Sequence, residues 1–547
     1  MKMVRLWLVG GIMVAVGADL HPATGAAPKL KSQKSTLKLQ LRSRVETSPD
    51  SKRFHVVHTQ ESWSPDKTAI VVCDMWDLHH CKNATLRGAE IAPRMNQVLH
   101  KARDMGVLII HAPSSCMPAY ANHPARKRAA QVKRSKQLPA EIASWCHQIP
   151  EEQRGTYPID QSDGGEDDDP AEHAAWAKQL QAKGRNPRAP WKKQTDLLDI
   201  EDQDYISDNG EEIWSVMEQH EIQNVILLGV HTNMCVLGRP FGLRQMAKNG
   251  KHVVLMRDMT DTMYNPLRAP YVSHFSGTDL IVEHIEKFVC PTITSDQILG
   301  GKAFRFKHDH RKHIAIIMAE REYGTNETLP EFAVQALGKH FRVSYVFAND
   351  GERNDLPGID VLDDADVMLV SVRRRVLPPE QMALVRAHVA QGKPVVGIRT
   401  ASHAFSLRNK PIPKGFRDWP EFDQAVFGGN YTGHHGSGPD VVLTAQATAA
   451  QHPILAGVDC AQFVGKGSLY RVSPLADSTQ VLVSGTIPDQ PREPIVWLNK
   501  RADKGWSVYT SLGHRGDFKQ PQFRRLLRNA LYWSAGVEVA DVVPPGK

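Results

Sequence analysis

The chain has 547 residues, 41% hydrophobic, 23% charged and 7% aromatic, with 67 basic and 60 acidic side chains and a net charge of +7. That length exceeds a single hydrophobic core and implies two to four globular domains. The cysteines at 73, 81, 116, 146, 235, 290 and 460 lack the dense, regular spacing of a disulfide scaffold, and the absence of a CxxC pair argues against a structural zinc site.

The opening "MKMVRLWLVGGIMVAVGADLHPATGAAP" sets Lys2 and Arg5 before an apolar run from Leu6 to Ala18, then small residues at Ala23–Ala27. A run of about thirteen residues is too short to cross a bilayer as a helix, so residues 1–26 read as a signal peptide. The mature protein is then secreted or periplasmic. No later stretch approaches the roughly eighteen apolar residues of a span, which predicts no stable membrane span. "KLKSQKSTLKLQLRSRVETSPDSKR", Lys29–Arg53, carries eight Lys/Arg against two acids and no aromatic residue. Nucleic-acid surfaces interleave basic and aromatic groups on a folded face, so this segment reads as a solvated tether. Residues 27–65 are accordingly predicted to be a basic flexible linker, with no nucleic-acid partner.

Beyond the tether, short apolar runs alternate with amphipathic ones. "TAIVVCDMW" (68–76), "VLIIHAP" (107–113), "NVILLGV" (224–230) and "HVVLMRD" (252–258) read as strands. Between the first two, Ile91, Met95, Val98, Leu99 and Ala102 recur at helical spacing. Strands apolar throughout and separated by helices predict an α/β fold with a parallel sheet covered on both faces. A polar insertion over 119–188, with "QSDGGEDDDPAEH", lacks EF-hand ligand spacing and reads as a solvated loop. The pattern restarts after a joint at Gly300–Lys312. "HIAIIMA" (313–319), "RVSYVFA" (342–348), "DVMLVSV" (366–372), "PVVGIRT" (394–400), "DVVLTA" (440–445), "VLVSGTI" (481–487) and "WSVYTSLG" (506–513) follow, with a closing helix in "PQFRRLLRNALYWSAG". Two doubly wound, mainly parallel-sheet domains result, over 66–299 and 313–540.

In such folds ligands gather at the carboxyl ends of the strands. Cys235 in "NVILLGVHTNMCVLGRPFG" stands where a buried strand stops and a helical stretch begins. Helix-terminal N–H groups there would favour thiolate, and those near Met234 and Cys235 could hold an oxyanion. Asp74 ends another strand, where burial would raise its pKa enough to exchange a proton with the sulfur. "RAPWKKQ" offers Lys192 and Lys193 as the cation at a third strand end, with strand register favouring Lys193. Trp76 is placed to stack on a planar substrate. Asp77, His79, His80, His111 and His123 lack a convincing ligand pattern, so neither metal nor cofactor is expected.

The motifs "AIVVCDMWDLHHC", "PWKKQ" and "VILLGVHTNMCV" followed by "MAKNGKHVVLMRD" make residues 66–296 resemble the isochorismatase-like cysteine hydrolases, which include nicotinamidases and N-carbamoyl amidohydrolases. The resemblance implies an Asp–Lys–Cys triad on Asp74, Lys193 (or Lys192) and Cys235. It also implies a cis bond between Val230 and His231, at the substrate-binding turn. True isochorismatases lack the cysteine, so Cys235 points to amide rather than vinyl-ether hydrolysis. Asp74-Met75-Trp76-Asp77 departs from the family's Asp-x-Gln pattern, and the long insertion obscures the substrate.

From 313 to 540, "KPVVGIRTASHAF", "FGGNYTGHHG" and "YTSLGHRGDFKQPQFRRLLRNALYWSAG" resemble the ThuA-like (trehalose utilisation) branch of the glutamine-amidotransferase-like fold. Arg399 occupies that fold's nucleophile position after Gly397-Ile398, which implies that glutaminase activity is lost. His403, His434, His435 and His514 are candidates for binding a sugar or a metal. The sequence thus points to an exported hydrolase of a small molecule's C–N bond, compatible with a homo-oligomer. Two alternatives remain open: a carbohydrate-binding or carbohydrate-modifying protein with a silent first half, and an assembly protein that binds no small molecule.

Overall fold

The computed structural model describes residues 36–539. The predicted signal peptide and the start of the predicted linker lie outside them. The first sheet contains β1 (Leu37–Glu46), β2 (Phe54–Trp63), β3 (Thr68–Cys73), β4 (Leu108–Ala112), β5 (Tyr205–Ile206), β6 (Asn224–Val230), β7 (His252–Asp261) and β8 (Thr292–Ile293). Their order is β2-β1-β8-β7-β6-β3-β4-β5. From β8 to β5 the strands run parallel, and β3 and β6 are buried at every position. Helices cover both faces, as continuous apolar strands require. The helix Lys82–Met105 buries Ile91, Met95, Val98, Leu99 and Ala102, the set its sequence spacing indicates.

Residues 37–63 are not a tether. β1 and β2 form an antiparallel hairpin that joins the sheet where Arg42 lies opposite Thr292. Leu37, Leu39 and Leu41 are buried and alternate with Lys38, Gln40 and Arg42, the period of a half-buried strand. Part of the positive charge is neutralised inside the fold: the buried Glu286 accepts from Arg42 Nε at 2.7 Å and from Arg44 Nε at 3.0 Å.

The second sheet contains β9 (Lys312–Ala319), β10 (Phe341–Phe347), β11 (Val367–Val372) and β12 (Val395–Ile398). Beyond a small pair, β13 (Gly433–His434) with β16 (Tyr470–Arg471), come β14 (Val441–Ala445), β15 (Val464–Gly465), β17 (Thr479–Thr486), β18 (Glu493–Lys500) and β19 (Trp506–Thr510). The order is β10-β9-β11-β12-β19-β18-β17-β14-β15, parallel as far as β19 and antiparallel beyond. The closing helix Pro521–Ser534 buries Phe523, Leu526, Leu527, Ala530 and Leu531 against this sheet's core.

The joint is packed rather than loose. Phe304 and Phe306 lie on the first core, and Arg311 donates to Asp279 and to Ser276 Oγ, each at 2.8 Å. Ser273 N donates to Gly338 O at 3.0 Å, tying the helix His274–Phe288 to the second half. The outermost strands β2 and β10 also lie close together, and His58 Nδ1, within β2, is 3.2 Å from Asp360 Oδ2 of the second half.

Candidate active site

β3 and β6 are neighbours, so their carboxyl ends bring Asp74 and Cys235 to one place. Asp74 is fully buried and takes a left-handed backbone, φ 46°. Its Oδ1 accepts from Ser114 N at 2.7 Å and its Oδ2 from Arg239 Nε at 3.1 Å. Cys235 lies in a π-helical turn, Thr232–Val236, where Asp74 and Arg239 are the charged groups that act most on its sulfur. The turn is held at its start. Thr232 and Thr260 share a 2.7 Å hydroxyl contact, while Asn233 donates to Met263 O and accepts from Met263 N, at 2.8 and 2.9 Å. The Val230–His231 bond is cis.

Burial pushes the Cys235 thiol far above its usual range and the Asp74 carboxylate pushes it further, against the pull of Arg239. The sulfur therefore rests as a thiol, not as the thiolate expected from backbone dipoles. Burial also raises Asp74, with Arg239 the largest opposing influence. The resting state is a neutral thiol, a carboxylate inclined to take a proton, and a guanidinium against both.

The cation paired with Asp74 is Arg239, and among the described residues neither Lys192 nor Lys193 pairs with Asp74 or Cys235. Lys193 Nζ donates to both oxygens of Asp196, at 2.7 and 2.6 Å, on a side chain that is 42% exposed. Lys192 contributes its backbone N–H to Asp77 Oδ1 at 3.1 Å. What "PWKKQ" brings inward is Trp191, stacked on Trp76 with ring centroids 4.5 Å apart, and Gln194, which pairs with the buried His111 at 3.0 Å. Arg239, which the strand-end argument misses, lies four residues after Cys235, one turn along. The Met234 N–H, expected to face an oxyanion, donates instead to His231 O at 3.0 Å. Burial lowers the His231 imidazole to about 4, and its Nε2 is buried without a partner.

The polar insertion is structural rather than solvated. Trp145 lies over Arg239, 4.6 Å from the guanidinium carbon to the ring centroid, and Cys146 N donates to Gly238 O at 2.8 Å. A cavity of about 560 Å³ beside the Cys235 turn is lined by Trp145, Tyr157, Gln161, Asn233, Met234 and Gly238, among others. Asp168 accepts from the N–H groups of Lys82 and Asn83 at 2.7 and 2.8 Å, capping the helix that starts there. Cys81, Asp167 and Asp168 bring three ligand-type atoms within 4.8 Å of one another. Asp167 is already engaged by Arg87 at 2.8 Å. Asp77 accepts from Arg185 at 2.8 Å, His80 lies 3.1 Å from Glu166, and His123 caps the helix Pro124–Gln131.

Behind the turn, Arg87 and His274 lie between Asp167 and Asp261, with Arg87 Nε 2.8 Å and His274 Nε2 2.9 Å from Asp261. These acids and their hydrogen bonds outweigh burial and raise His274 to about 9 from 6.5. A raised folded-state pKa contributes stability that is complete below about 6.5 and gone above about 9. His274→Gln is expected to lower Tm by several degrees at pH 6 and to narrow its gap from wild type steadily up to pH 9.5. Differential scanning calorimetry across that range checks this, and a constant gap contradicts it.

In the second sheet Arg399 follows β12 with φ 46° and is 3% exposed. Its Nη1 donates to Ser468 O and Ser511 O at 3.1 and 2.8 Å. The guanidinium carbon lies 4.8 Å from the Tyr323 ring centroid and 4.3 Å from that of Tyr470. The four candidate histidines surround these tyrosines. His403 stacks on Tyr431 at 4.4 Å, His434 lies 6.3 Å from Tyr470, and His514 lies 5.7 Å from Tyr323. His435 N donates to Leu469 O at 2.9 Å, next to Tyr470.

No curated protein matches the chain. Among solved structures, a ThuA-like protein from Bacteroides uniformis is 20% identical, with TM-score 0.32, over 44% of this chain and 99% of its own. A second, from Parabacteroides merdae, is 17% identical, with TM-score 0.32, over 42% and 93%. A cysteine hydrolase from Pseudomonas syringae pv. phaseolicola is 16% identical, with TM-score 0.26, over 43% and 92%. Residues 313–534 match the family model for trehalose utilisation, so the second half of the chain is a ThuA-like domain.

Proposed function

We propose that the first half is an exported cysteine hydrolase that cleaves an amide-type C–N bond of a small molecule. Cys235 is the nucleophile, Asp74 the proton carrier and Arg239 the cation. The supporting observation is the convergence of thiol, carboxylate and guanidinium at adjacent strand ends, with Arg239 Nε 3.1 Å from Asp74 Oδ2. Export rests on the sequence of residues 1–26.

As sulfur adds to the carbonyl carbon, its proton passes to Asp74, and the carbonyl oxygen becomes an oxyanion held by the Cys235 N–H. The C–N bond breaks as Asp74 gives that proton to the leaving nitrogen. Water then attacks the thioester, losing a proton to Asp74, and that proton returns to the sulfur as the acid leaves. Arg239 faces the carboxylate and the sulfur throughout and limits the cost of moving charge between them.

A thiol at rest fixes the pH profile. kcat/KM is expected to rise through one acid limb, above the ordinary carboxylate value because Asp74 is raised, and then to stay level to about pH 9. A rise tracking thiol ionisation between pH 7 and 9 contradicts the scheme. The reading itself is tested by measuring amine or ammonia release from nicotinamide, carbamoyl amino acids and ureido compounds, with mass spectrometry of Cys235 after rapid quench. An acyl adduct on Cys235 with a productive substrate supports it. Turnover that persists without the thiol overturns it.

A further inference from the structure

We propose that the carboxyl ends of the second sheet form a site for a small molecule bearing an oxyanion, a phosphate ester or a carboxylate, held by Arg374, Arg399 and Arg408. β11 runs directly into Arg373, Arg374 and Arg375, and β12 into Arg399. Arg408 lies on the loop that follows. The ends of these strands meet: Arg374 N donates to His403 O at 3.0 Å and Arg375 N to Ala404 O at 2.7 Å, which sets the arginine run against the turn that follows Arg399.

Such a concentration of charge normally carries its own counterions. Here Arg373 pairs with Glu322 at 2.6 Å, but among the described residues no carboxylate forms an ion pair with Arg374, Arg375, Arg399 or Arg408. The neighbouring acids Glu320 and Asp423 form no ion pair with these groups. Glu320 accepts from Thr325 and from the N–H groups of Glu322 and Tyr323, at 2.6 to 2.8 Å. Burial raises Asp423 to about 7, so much of it is neutral near neutral pH. Leaving buried guanidinium groups without a counter-charge is costly. Arg399 and Arg375 are 3% and 2% exposed, and the Nε of each is buried without a hydrogen-bond partner. The carbonyls of Ser468 and Ser511 give Arg399 dipoles but no charge.

Backbone conformation is a second, independent sign. Arg374 and Arg399 have φ 49° and 46°, a region that L side chains rarely adopt and that clusters at binding sites. Guanidinium forks match the paired oxygens of phosphate and carboxylate. Tyr431, stacked with His403, offers an aromatic surface for the body of a ligand. Tyr323, whose ring centroid lies 4.8 Å from the Arg399 guanidinium carbon, also lines a neighbouring cavity of about 500 Å³ together with Arg321, His514 and Arg515.

The test is calorimetric titration of the full chain with inorganic phosphate, glucose 6-phosphate, glucuronate and neutral glucose. At least one of the two charged sugars is expected to bind at least tenfold more tightly than glucose, and whichever binds better identifies the oxyanion. Raising NaCl from 50 to 500 mM is expected to weaken that binding severalfold, as screened charge requires. Arg374→Ala, on a half-buried side chain, is expected to lower affinity at least tenfold with Tm unchanged. The Arg408→Ala variant gives a second reading if Arg374→Ala fails to fold. Equal binding of charged and neutral sugars overturns the proposal, as does binding by none of the anions or unchanged affinity in a folded variant.

Discussion

Cys235→Ala is expected to lower kcat/KM for the hydrolysed amide by about 10³-fold or more, with fold and substrate affinity intact. The same loss is expected for Asp74→Asn, because the thiol rests protonated and, among the described residues, Asp74 is the carboxylate that acts on it. The double variant should be little worse than either single one, since the two residues move one proton between them. Arg239→Met should also fall by orders of magnitude, whereas Lys193→Ala should stay within about twofold of wild type, its ammonium being held by Asp196. Steady-state kinetics with circular dichroism on each variant checks the set. Retention of more than about a tenth of wild-type activity by Cys235→Ala removes the thiol from the chemistry.

Gly229→Ala is expected to be as damaging, for a steric reason. Gly229 has φ 110°, and a Cβ there would lie 2.0 Å from Cys73 O and 2.8 Å from Cys73 N. Both contacts are to backbone, so no side chain can rotate away. β6 would have to part from β3 just before Asp74, at a cost of about 3 kcal/mol or more. Because Asp74 follows Cys73 directly, the separation also takes the carboxylate from the sulfur, and activity should fall about 10²-fold even at temperatures where the variant is folded. Gly250→Ala is the control. Its φ is 80°, but nothing lies within 4 Å of the added carbon, so it should cost only about 1 kcal/mol and leave activity unchanged. Thermal denaturation and kinetics on both separate clash from backbone preference.

The parallel strands and the placement of Asp74 and Cys235 at adjacent strand ends can be read in the sequence because each follows from a local rule. A run such as "TAIVVC" can only be a strand buried on both faces, and a polar residue at its end must face the cleft. Arg239 obeys no such rule. It reaches Asp74 because the chain turns once after Cys235, and the only sequence signal is the spacing of four residues within "CVLGR". The lysine pair misleads because adjacent residues point in different directions, and the folded segment turns Trp191 and Gln194 inward. The hairpin is obscured by composition: charge dominates "LKLQLRSRVE", while the alternation of Leu37, Leu39 and Leu41 carries the strand. The ionisation of Cys235 needs the surroundings in three dimensions, since burial and Asp74 together outweigh the dipoles of a short turn. The ThuA-like match over 313–534 agrees with the motifs that suggested it.

The proximity of β2 and β10 bears on how the chain can be divided. Each is the last strand of its sheet, with hydrogen-bonding groups on one side left open to any extended polypeptide. In the intact chain each shields the other. A fragment starting at residue 312 would bare β10 and, with the helix His274–Phe288 gone, lose the partner of Gly338 as well. Such a fragment is prone to self-association, and fusion of the two halves doubles as protection against aggregation.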